Sequence, residues 1–225
     1  MKQRSCQSQI HQPSYSKAIL GTQKRDIQNA FEALERNTKI KQFTLCTVEC
    51  QLFRVNWDIG WGCTYRAIQT IYSALVSHQP FKSALPFSFT YQNISFIQQD
   101  IENAWKAGID EAGAATFSNS LQGKRDWIGA AEVATLLRYH KIDAQIHDFY
   151  LSKAQGRGAT HSALIEFVAR YFTQSDSRQD KLPLFFQTDG HSTVIVGLVE
   201  LQSKRVGECS ENVLLPFCSV RVKRC

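Results

Sequence analysis

The sequence predicts an α+β fold, with most helices in the earlier part of the chain and a sheet formed mainly near its end. Apolar residues recur at helical spacing in several segments before residue 174, whereas 182–187 and 192–200 are apolar runs typical of buried strands. Helices and strands that are grouped along the chain, rather than alternating, are typical of the α+β class. With 225 residues, 43% of them hydrophobic, the chain can bury a substantial core.

The first segment in chain order is polar and shows no periodicity. Residues 1–15 are therefore predicted to be a mobile lead-in, followed by a single domain over 16–225. Apolar residues at helical spacing predict a first helix over 19–34. The segment 42–55 is rich in residue types that favour strands, which predicts a strand before the first glycine-rich turn.

The remaining elements follow from the same two periodicities. A helix over 63–77 is predicted from apolar residues that repeat at intervals of three and four: Ile68, Ile71, Tyr72 and Leu75. The same spacing predicts further helices at 94–107, 126–140 and 161–173. Strands are predicted at 143–149, 182–187 and 192–200.

Composition and charge argue against several classes of function. The N-terminus lacks the pattern of a secretory signal, and no apolar run approaches the roughly 18 residues that span a bilayer. We therefore expect a soluble monomer in the cytoplasm, the nucleus or both, without a membrane partner. The net charge of +6 is interleaved with acidic residues rather than clustered, so we do not expect a nucleic-acid partner.

The seven cysteines are expected to be reduced thiols. Their number is odd, and they lack the density of a secreted disulfide-rich domain. Cys46 and Cys50 form one C-x3-C pair, but no second pair of cysteines or histidines at zinc-ligand spacing lies nearby. We therefore predict two core thiols here, with no metal site and no cofactor.

One cysteine lies where a glycine-rich turn runs into a predicted helix, in the stretch WDIGWGCTYRAIQ over 57–69. Cys63 falls in the first helical turn, where the positive end of the helix stabilises a thiolate, the nucleophilic form of cysteine. Gly60 and Gly62 allow backbone angles that other residues resist, and they let a substrate approach the sulfur closely. The alternative is a small residue at a crowded helix start that has no catalytic function.

A cysteine nucleophile requires a base, and His191 is the best placed of the six histidines. It follows the turn 187–190 and begins a predicted strand, so its side chain can face a cleft at the rim of the sheet. Gln187, at the end of the preceding strand, is a candidate oxyanion donor through its side-chain amide. The alternative for His191 is a turn histidine that bonds its own backbone, in which case His161 or His147 becomes the candidate base.

The segment Gly60-Trp-Gly-Cys-Thr-Tyr-Arg66 resembles the GWGCGYR nucleophile motif of the cysteine peptidases that process ubiquitin-fold modifiers. Three further blocks, at 121–132, 158–161 and 186–192, are similar to one branch of that family. This branch contains the zinc-finger-containing deubiquitinases selective for lysine-sixty-three-linked ubiquitin chains. Together the similar blocks extend over most of the chain between the first glycine turn and the last predicted strand.

The resemblance implies a papain-like fold, in which the nucleophile lies at a helix N-terminus packed against a mostly antiparallel sheet. It implies an isopeptidase that cleaves after the C-terminal glycine of ubiquitin, with Cys63 as nucleophile, His191 as general base and Gln187 in the oxyanion hole. The channel for the diglycine tail of the substrate is implied to be formed by Gly60, Trp61 and Gly62. The expected partner is ubiquitin, polyubiquitin or another ubiquitin-like modifier.

The sequence departs from the family pattern at two places. Thr64 replaces the glycine that usually follows the cysteine. The family also carries an aspartate in the strand after the base histidine, whereas no Asp follows Asp189 here and the matching strand is 213–218. Glu208, Glu211, a backbone carbonyl or a water are the candidates for orienting the histidine. The alternative function is a non-catalytic ubiquitin-binding module that keeps the fold and the channel.

Overall fold

The computed structural model describes residues 22–23, 40–46, 51–52, 58, 60–78, 81, 85, 93–150, 162–174, 181–188, 190–201 and 211–216. The helices in these residues are α1 (Cys63–Ser77), α2 (Ile94–Lys106), α3 (Glu111–Thr116), α4 (Ala130–Tyr139) and α5 (Ser162–Thr173). The strands are β1 (Thr22–Gln23), β2 (Ile40–Leu45), β3 (Gln51–Leu52), β4 (Leu184–Thr188), β5 (His191–Leu201) and β6 (Glu211–Pro216).

β5 is the strand around which the larger sheet is built, since it pairs antiparallel with three other strands. Its residues from His191 to Ile195 pair with β4, those from Gly197 to Leu201 pair with β2, and β6 pairs with Ile195 and with Leu198 to Leu201. Glycine is needed at Gly197, because a Cβ there would collide with the carbonyl oxygen of Thr44 in β2. A separate two-stranded ladder joins β1 to β3.

α1 contacts β5 and is buried over most of its circumference. Tyr65, Ile68 and Leu75 each have at most 1% of their surface exposed. On the strand, the three consecutive residues from Val194 to Val196 are all buried. Because successive strand residues face opposite sides of a sheet, both faces of β5 are covered. The continuous apolar run that predicts this strand therefore reflects its central position.

The α+β class predicted from the sequence is confirmed. The helix predicted over 63–77 has those bounds, and the helices predicted at 94–107 and 161–173 each agree within one residue. The two late strands, β4 and β5, lie where apolar runs predict them. The packing of α1 against an antiparallel sheet is the arrangement that the papain-like resemblance implies.

Two helical segments differ from the sequence prediction. α4 begins at Ala130 rather than at 126, because the Gly129 N–H bonds the Glu132 carboxylate at 2.7 Å and starts the helix there. α3 has six residues, too few for a periodic apolar pattern to be recognised. It begins after Asp110, whose carboxylate accepts a hydrogen bond from the Gly113 N–H at 3.0 Å.

The predictions for the first part of the chain are corrected where the structure describes it. Thr22–Gln23, inside the helix predicted over 19–34, form a strand instead, because their backbone pairs with Gln51–Leu52. The rest of 19–34 lies outside the described residues. The segment 42–55, predicted to be rich in β-structure, contains most of β2 and all of β3, which belong to different sheets.

The strand predicted over 143–149 is wrong, since residues 142–150 form no regular element. Most of these side chains are exposed, so the alternation of apolar and polar residues has no core to face. A strand also needs a neighbour to complete its hydrogen bonds, and none of the strand pairs in the described residues includes this segment.

One cluster of buried residues includes members from Cys46 to Leu198. The predicted lead-in, 1–15, lies outside the described residues, and the single domain over 16–225 stays a prediction. Among the helices in the described part of the chain, none combines the length and the apolarity needed to cross a membrane.

Ile195→Ala should lower the free energy of unfolding by about 2–5 kcal/mol, because it leaves a cavity where the side chain is 1% exposed. Ile146→Ala removes the same atoms from a side chain that is 47% exposed, and it should change this free energy by less than about 0.5 kcal/mol. Urea denaturation followed by tryptophan fluorescence measures both variants. Equal effects of the two substitutions would contradict the central position of β5.

Candidate active site

A tight turn precedes Cys63 and sets its position. The carbonyl oxygen of Asp58 accepts hydrogen bonds from the N–H groups of Trp61 (3.2 Å) and Gly62 (2.9 Å). Gly60 has a φ of 98°, a conformation that favours glycine. Cys63 is the first residue of α1 and is half-buried, which puts its thiol at the positive end of the helix dipole.

A buried ion pair ties this turn to α1. Arg66 Nε lies 2.7 Å from Asp58 Oδ2, and the two side chains are only 10% and 4% exposed. The Arg66 guanidinium also donates to Gln69 Oε1 at 2.8 Å. Gly62 has no room for a side chain, because a Cβ there would collide with the Asp58 carboxylate. The glycine and the arginine of the sequence motif therefore close the turn onto the helix.

Thr64, the residue after Cys63, joins three parts of the site. Its hydroxyl oxygen lies 2.7 Å from the Ile128 carbonyl oxygen and 2.8 Å from the Ser192 hydroxyl oxygen. Thr64 and Ser192 are both buried. Because Ser192 directly follows His191, this contact brings the start of α1 and the start of β5 together.

His191 and Gln187 lie on the adjacent strands β5 and β4. His191 is the half-buried first residue of β5 and pairs with Thr188, whereas Gln187 pairs with Ser192. Gln187 Oε1 accepts a hydrogen bond from the Ala130 N–H at the start of α4, at 2.7 Å. Because a backbone N–H can only donate, the amide oxygen faces α4, and Nε2 is the donor that the amide can offer a substrate.

The loop before α4, residues 121–129, is held by polar side chains of α2. Gln98 is 2% exposed; its Oε1 accepts from the Gly123 N–H at 2.9 Å and its Nε2 donates to the Lys124 carbonyl at 2.8 Å. One carboxylate oxygen of Glu102 accepts from two further backbone N–H groups of the loop, each at 2.7 Å. The loop that contacts Thr64 and carries the start of α4 is thus fixed by directional bonds.

Aromatic side chains flank the site. Trp61 packs edge-on against Tyr65, with ring centroids 5.8 Å apart. Burial raises the pKa of Tyr65 far above its usual range, so its hydroxyl stays protonated and donates to the Asp126 carbonyl at 3.3 Å. Trp127 is 55% exposed. Its ring packs over Gly190, since a Cβ added to that glycine would lie 3.5 Å from the ring, at ordinary van der Waals distance. The exposed Trp127 ring therefore forms part of the rim of the site.

The sequence-predicted site residues Cys63, His191 and Gln187 lie on elements that meet at one junction. The turn residues predicted for the substrate channel lie directly before Cys63. The groups that make the junction, the Thr64 and Ser192 hydroxyls and the Ile128 carbonyl, have no signal in the sequence. Contacts between positions so far apart leave no periodic pattern, and Thr64 stood out only as a departure from the family motif.

Glu211 is too far from His191 to orient its ring. Glu211 pairs with Leu201, whereas His191 is at the other end of β5. At about 3.3 Å of rise per strand residue, the two positions are roughly 30 Å apart. Glu208, the other acidic candidate, lies outside the described residues.

The remaining candidates from the sequence lie elsewhere or outside the described residues. His147 is exposed, and its ring packs against Phe167 of α5 with centroids 4.8 Å apart. Cys46 is fully buried after β2, as predicted for a core thiol. His161 and Cys50 lie outside the described residues. In the described part of the chain, no three His, Cys, Asp or Glu side chains gather as metal ligands would.

Comparison with known proteins gives one matching family and several relatives. The model of peptidase family C78 matches residues 39–220. Zinc finger-containing ubiquitin peptidase 1 of Rattus norvegicus is 34% identical over 173 residues, which cover 74% of this chain and 30% of the relative. Ubiquitin carboxyl-terminal hydrolase mug105 of Schizosaccharomyces pombe is 33% identical over 140 residues, which cover 62% of this chain and 55% of the relative.

The chain spans about 30% of the length of the zinc finger-containing relatives that it matches. Among solved structures, the crystal structure of UfSP from C. elegans matches with a TM-score of 0.47 and 18% sequence identity. The match covers 79% of this chain and 27% of that chain.

Asp58→Asn should lower the free energy of unfolding by about 3–5 kcal/mol, because it removes the negative charge that lies 2.7 Å from the buried Arg66 guanidinium. Asp143→Asn makes the same chemical change at an exposed position and should have an effect below about 0.5 kcal/mol. Urea denaturation of both variants measures the difference. If Asp58→Asn were as stable as the parent, the ion pair would not hold the turn.

Proposed function

The chain belongs to peptidase family C78, and we propose on that premise that it is a cysteine isopeptidase cleaving after the C-terminal glycine of ubiquitin, in polyubiquitin chains. One observation carries the proposal: the hydrogen-bonded junction of Thr64 and Ser192 joins the helix that begins with Cys63 to the strand that begins with His191. The relatives named ubiquitin peptidase and ubiquitin carboxyl-terminal hydrolase support the same class of substrate.

In this proposal the reaction begins at Cys63. Its thiolate attacks the carbonyl carbon of the C-terminal glycine, and the electron pair of the C=O bond moves to the oxygen. The oxyanion accepts hydrogen bonds from the Cys63 N–H at the helix start and from Gln187 Nε2. The C–N bond then breaks, the lysine amine leaves with a proton from His191, and a glycyl thioester remains on Cys63.

The second half of the reaction uses water. A water molecule attacks the thioester carbonyl while His191 accepts one of its protons. The C–S bond breaks, which releases the free glycine carboxylate and regenerates the Cys63 thiolate. The same two residues therefore serve both steps, and the chain needs no redox partner or cofactor for them.

The turn before Cys63 suits a substrate that ends in two glycines. Gly60 and Gly62 present backbone without side chains, while Trp61 is half-buried and packs against Tyr65. A diglycine tail also lacks side chains, so it can pass through a channel that is too narrow for other residues. We propose that Gly60, Trp61 and Gly62 form this channel.

We propose that a backbone carbonyl, a water or Glu208 orients the His191 ring. The last described residue of β6, Pro216, pairs with Ile195 rather than with His191. Residues 217–225 contain no Asp and no Glu. A thiolate nucleophile depends less on a third residue than a serine hydroxyl does.

The setting that we propose for this activity is the cytoplasm, the nucleus or both, with the chain acting as a monomer. Ubiquitin or polyubiquitin is the proposed partner. Preference for lysine-sixty-three-linked chains is proposed from the resemblance to one branch of the family. Such a preference arises largely from additional ubiquitin-binding sites that raise the effective concentration of the substrate.

Ubiquitin that carries a C-terminal propargyl electrophile should form a covalent adduct with the purified chain, because the electrophile is held where Cys63 attacks. Cys63→Ala should abolish the adduct. Cys46→Ala should retain it, since the Cys46 side chain is 0% exposed. Denaturing gel electrophoresis and intact-mass measurement detect the adduct.

Two other outcomes would change the proposal. An adduct with another ubiquitin-like modifier, but none with ubiquitin, would keep the chemistry and overturn the substrate. Binding of polyubiquitin without adduct formation or cleavage would support the non-catalytic ubiquitin-binding module instead.

His191→Ala should lower the rate of ubiquitin cleavage by about 10² or more, the usual scale for the loss of a positioned acid or base. His147→Ala is the matched control, since His147 is exposed and packs against α5, and its activity should equal that of the parent. Hydrolysis of a fluorogenic ubiquitin substrate measures both. Full activity in His191→Ala, or loss of activity in His147→Ala, would contradict the assignment of the base.

A further inference from the structure

The hydroxyl contact between Thr64 and Ser192 lies between the two residues on which the proposed chemistry depends. Thr64 follows Cys63, Ser192 follows His191, and the contact spans 128 positions of sequence. Only 1% of Thr64 and 5% of Ser192 are exposed. A buried hydrogen bond of this kind is shielded from water, so it fixes the separation of the two elements more tightly than a surface contact does.

The direction of the bonds follows from the chemistry of the groups. The Ile128 carbonyl can only accept, so the Thr64 hydroxyl donates its single hydrogen there. The 2.8 Å contact with Ser192 therefore has the Ser192 hydroxyl as donor and Thr64 Oγ1 as acceptor. Both hydrogen-bonding roles of the Thr64 hydroxyl are used, and rotation of the hydroxyl would break one of these bonds.

The same bonds extend toward the oxyanion donor. Ile128 lies two residues before Ala130, whose N–H binds Gln187 Oε1 at 2.7 Å. Between them, Gly129 packs so closely that a Cβ would lie 2.9 Å from the same oxygen. The Thr64 hydroxyl is thus bonded to Ser192 in β5, the strand that begins with His191, and to the loop that contacts the Gln187 amide. Thr64 is also the residue next to Cys63.

We propose that Thr64 is a positioning residue, whose hydroxyl sets the separation between the Cys63 helix and the His191 strand and so couples thiolate to imidazolium. This inference rests on the proposed function. A displacement of about 1 Å at such a junction can cost about 10² in rate.

Three substitutions and one control test the role of the hydroxyl. Thr64→Val keeps the shape of the side chain and removes the hydroxyl, whereas Thr64→Ser keeps the hydroxyl and removes the methyl group. Thr70→Val is the matched control, because Thr70 is equally buried in α1 but its hydroxyl donates to the Arg66 carbonyl of the same helix, at 3.1 Å. Ser192→Ala removes the contact from the other side, and it serves if Thr64→Val does not fold.

On a fluorogenic ubiquitin substrate, Thr64→Val should lower kcat by about 10- to 100-fold with KM nearly unchanged. Thr64→Ser should restore kcat to within a few-fold of the parent, and Thr70→Val should match the parent. A rise in KM alone, or an equal loss of kcat in Thr70→Val, would overturn the positioning role.

A second measurement does not require ubiquitin. The rate at which iodoacetamide alkylates Cys63 near pH 7, followed by mass spectrometry of its peptide, reports how much thiolate His191 maintains. Thr64→Val and His191→Ala should each lower this rate, and the double variant should be no slower than His191→Ala alone. If the double variant were alkylated more slowly than His191→Ala by the factor that Thr64→Val alone produces, the proposed coupling would be overturned.

The two measurements separate the two proposals. If the parent cleaves no ubiquitin substrate, the proposed function fails, while the alkylation cycle still decides whether Thr64 acts through His191. If the parent cleaves ubiquitin and the alkylation losses multiply, the role of Thr64 fails and the proposed function stands.

Discussion

The burial of α1 against β5 is the constraint on which the rest of the site depends. Cys63 begins the helix and His191 begins the strand, so the packing of these two elements decides whether the proposed nucleophile and the proposed base can meet. Each fully buried aliphatic or aromatic side chain at this interface contributes roughly 1.5–3 kcal/mol of favourable transfer free energy. This term is large but has no direction, so it holds the elements together without setting their exact alignment.

Polar groups around this interface supply the alignment. The Asp58–Arg66 pair closes the turn onto α1, and Gln98 and Glu102 hold the loop that precedes α4. Thr64 connects that loop to β5. Burying a polar group costs free energy unless the group is hydrogen-bonded. The fold must therefore supply partners for these side chains, and the same hydrogen bonds align the site.

Membership of peptidase family C78 confirms the resemblance read from the glycine-tryptophan-glycine-cysteine motif. The matched region extends well beyond that motif, to residues 39–220. Two features set this chain apart from the motif pattern: a threonine after the cysteine, and no acidic residue in the stretch where the strand after the histidine should carry one. Thr64 lies at the junction of helix and sheet, where its hydroxyl contacts Ser192.

The sequence by itself determined the α+β class, the bounds of α1, the central strand β5 and the candidates Cys63, His191 and Gln187. Local signals suffice for these features, since helical spacing, apolar runs and a glycine turn before a cysteine are contained in short segments. The sequence misled at 143–149, where alternation occurs without a core to face, and at Glu211, which only strand register shows to be remote from His191. The contacts of the Thr64 hydroxyl and the contact of Gln187 with α4 were decided by tertiary structure alone, because each joins groups whose proximity exists only after the helices and the sheet have packed.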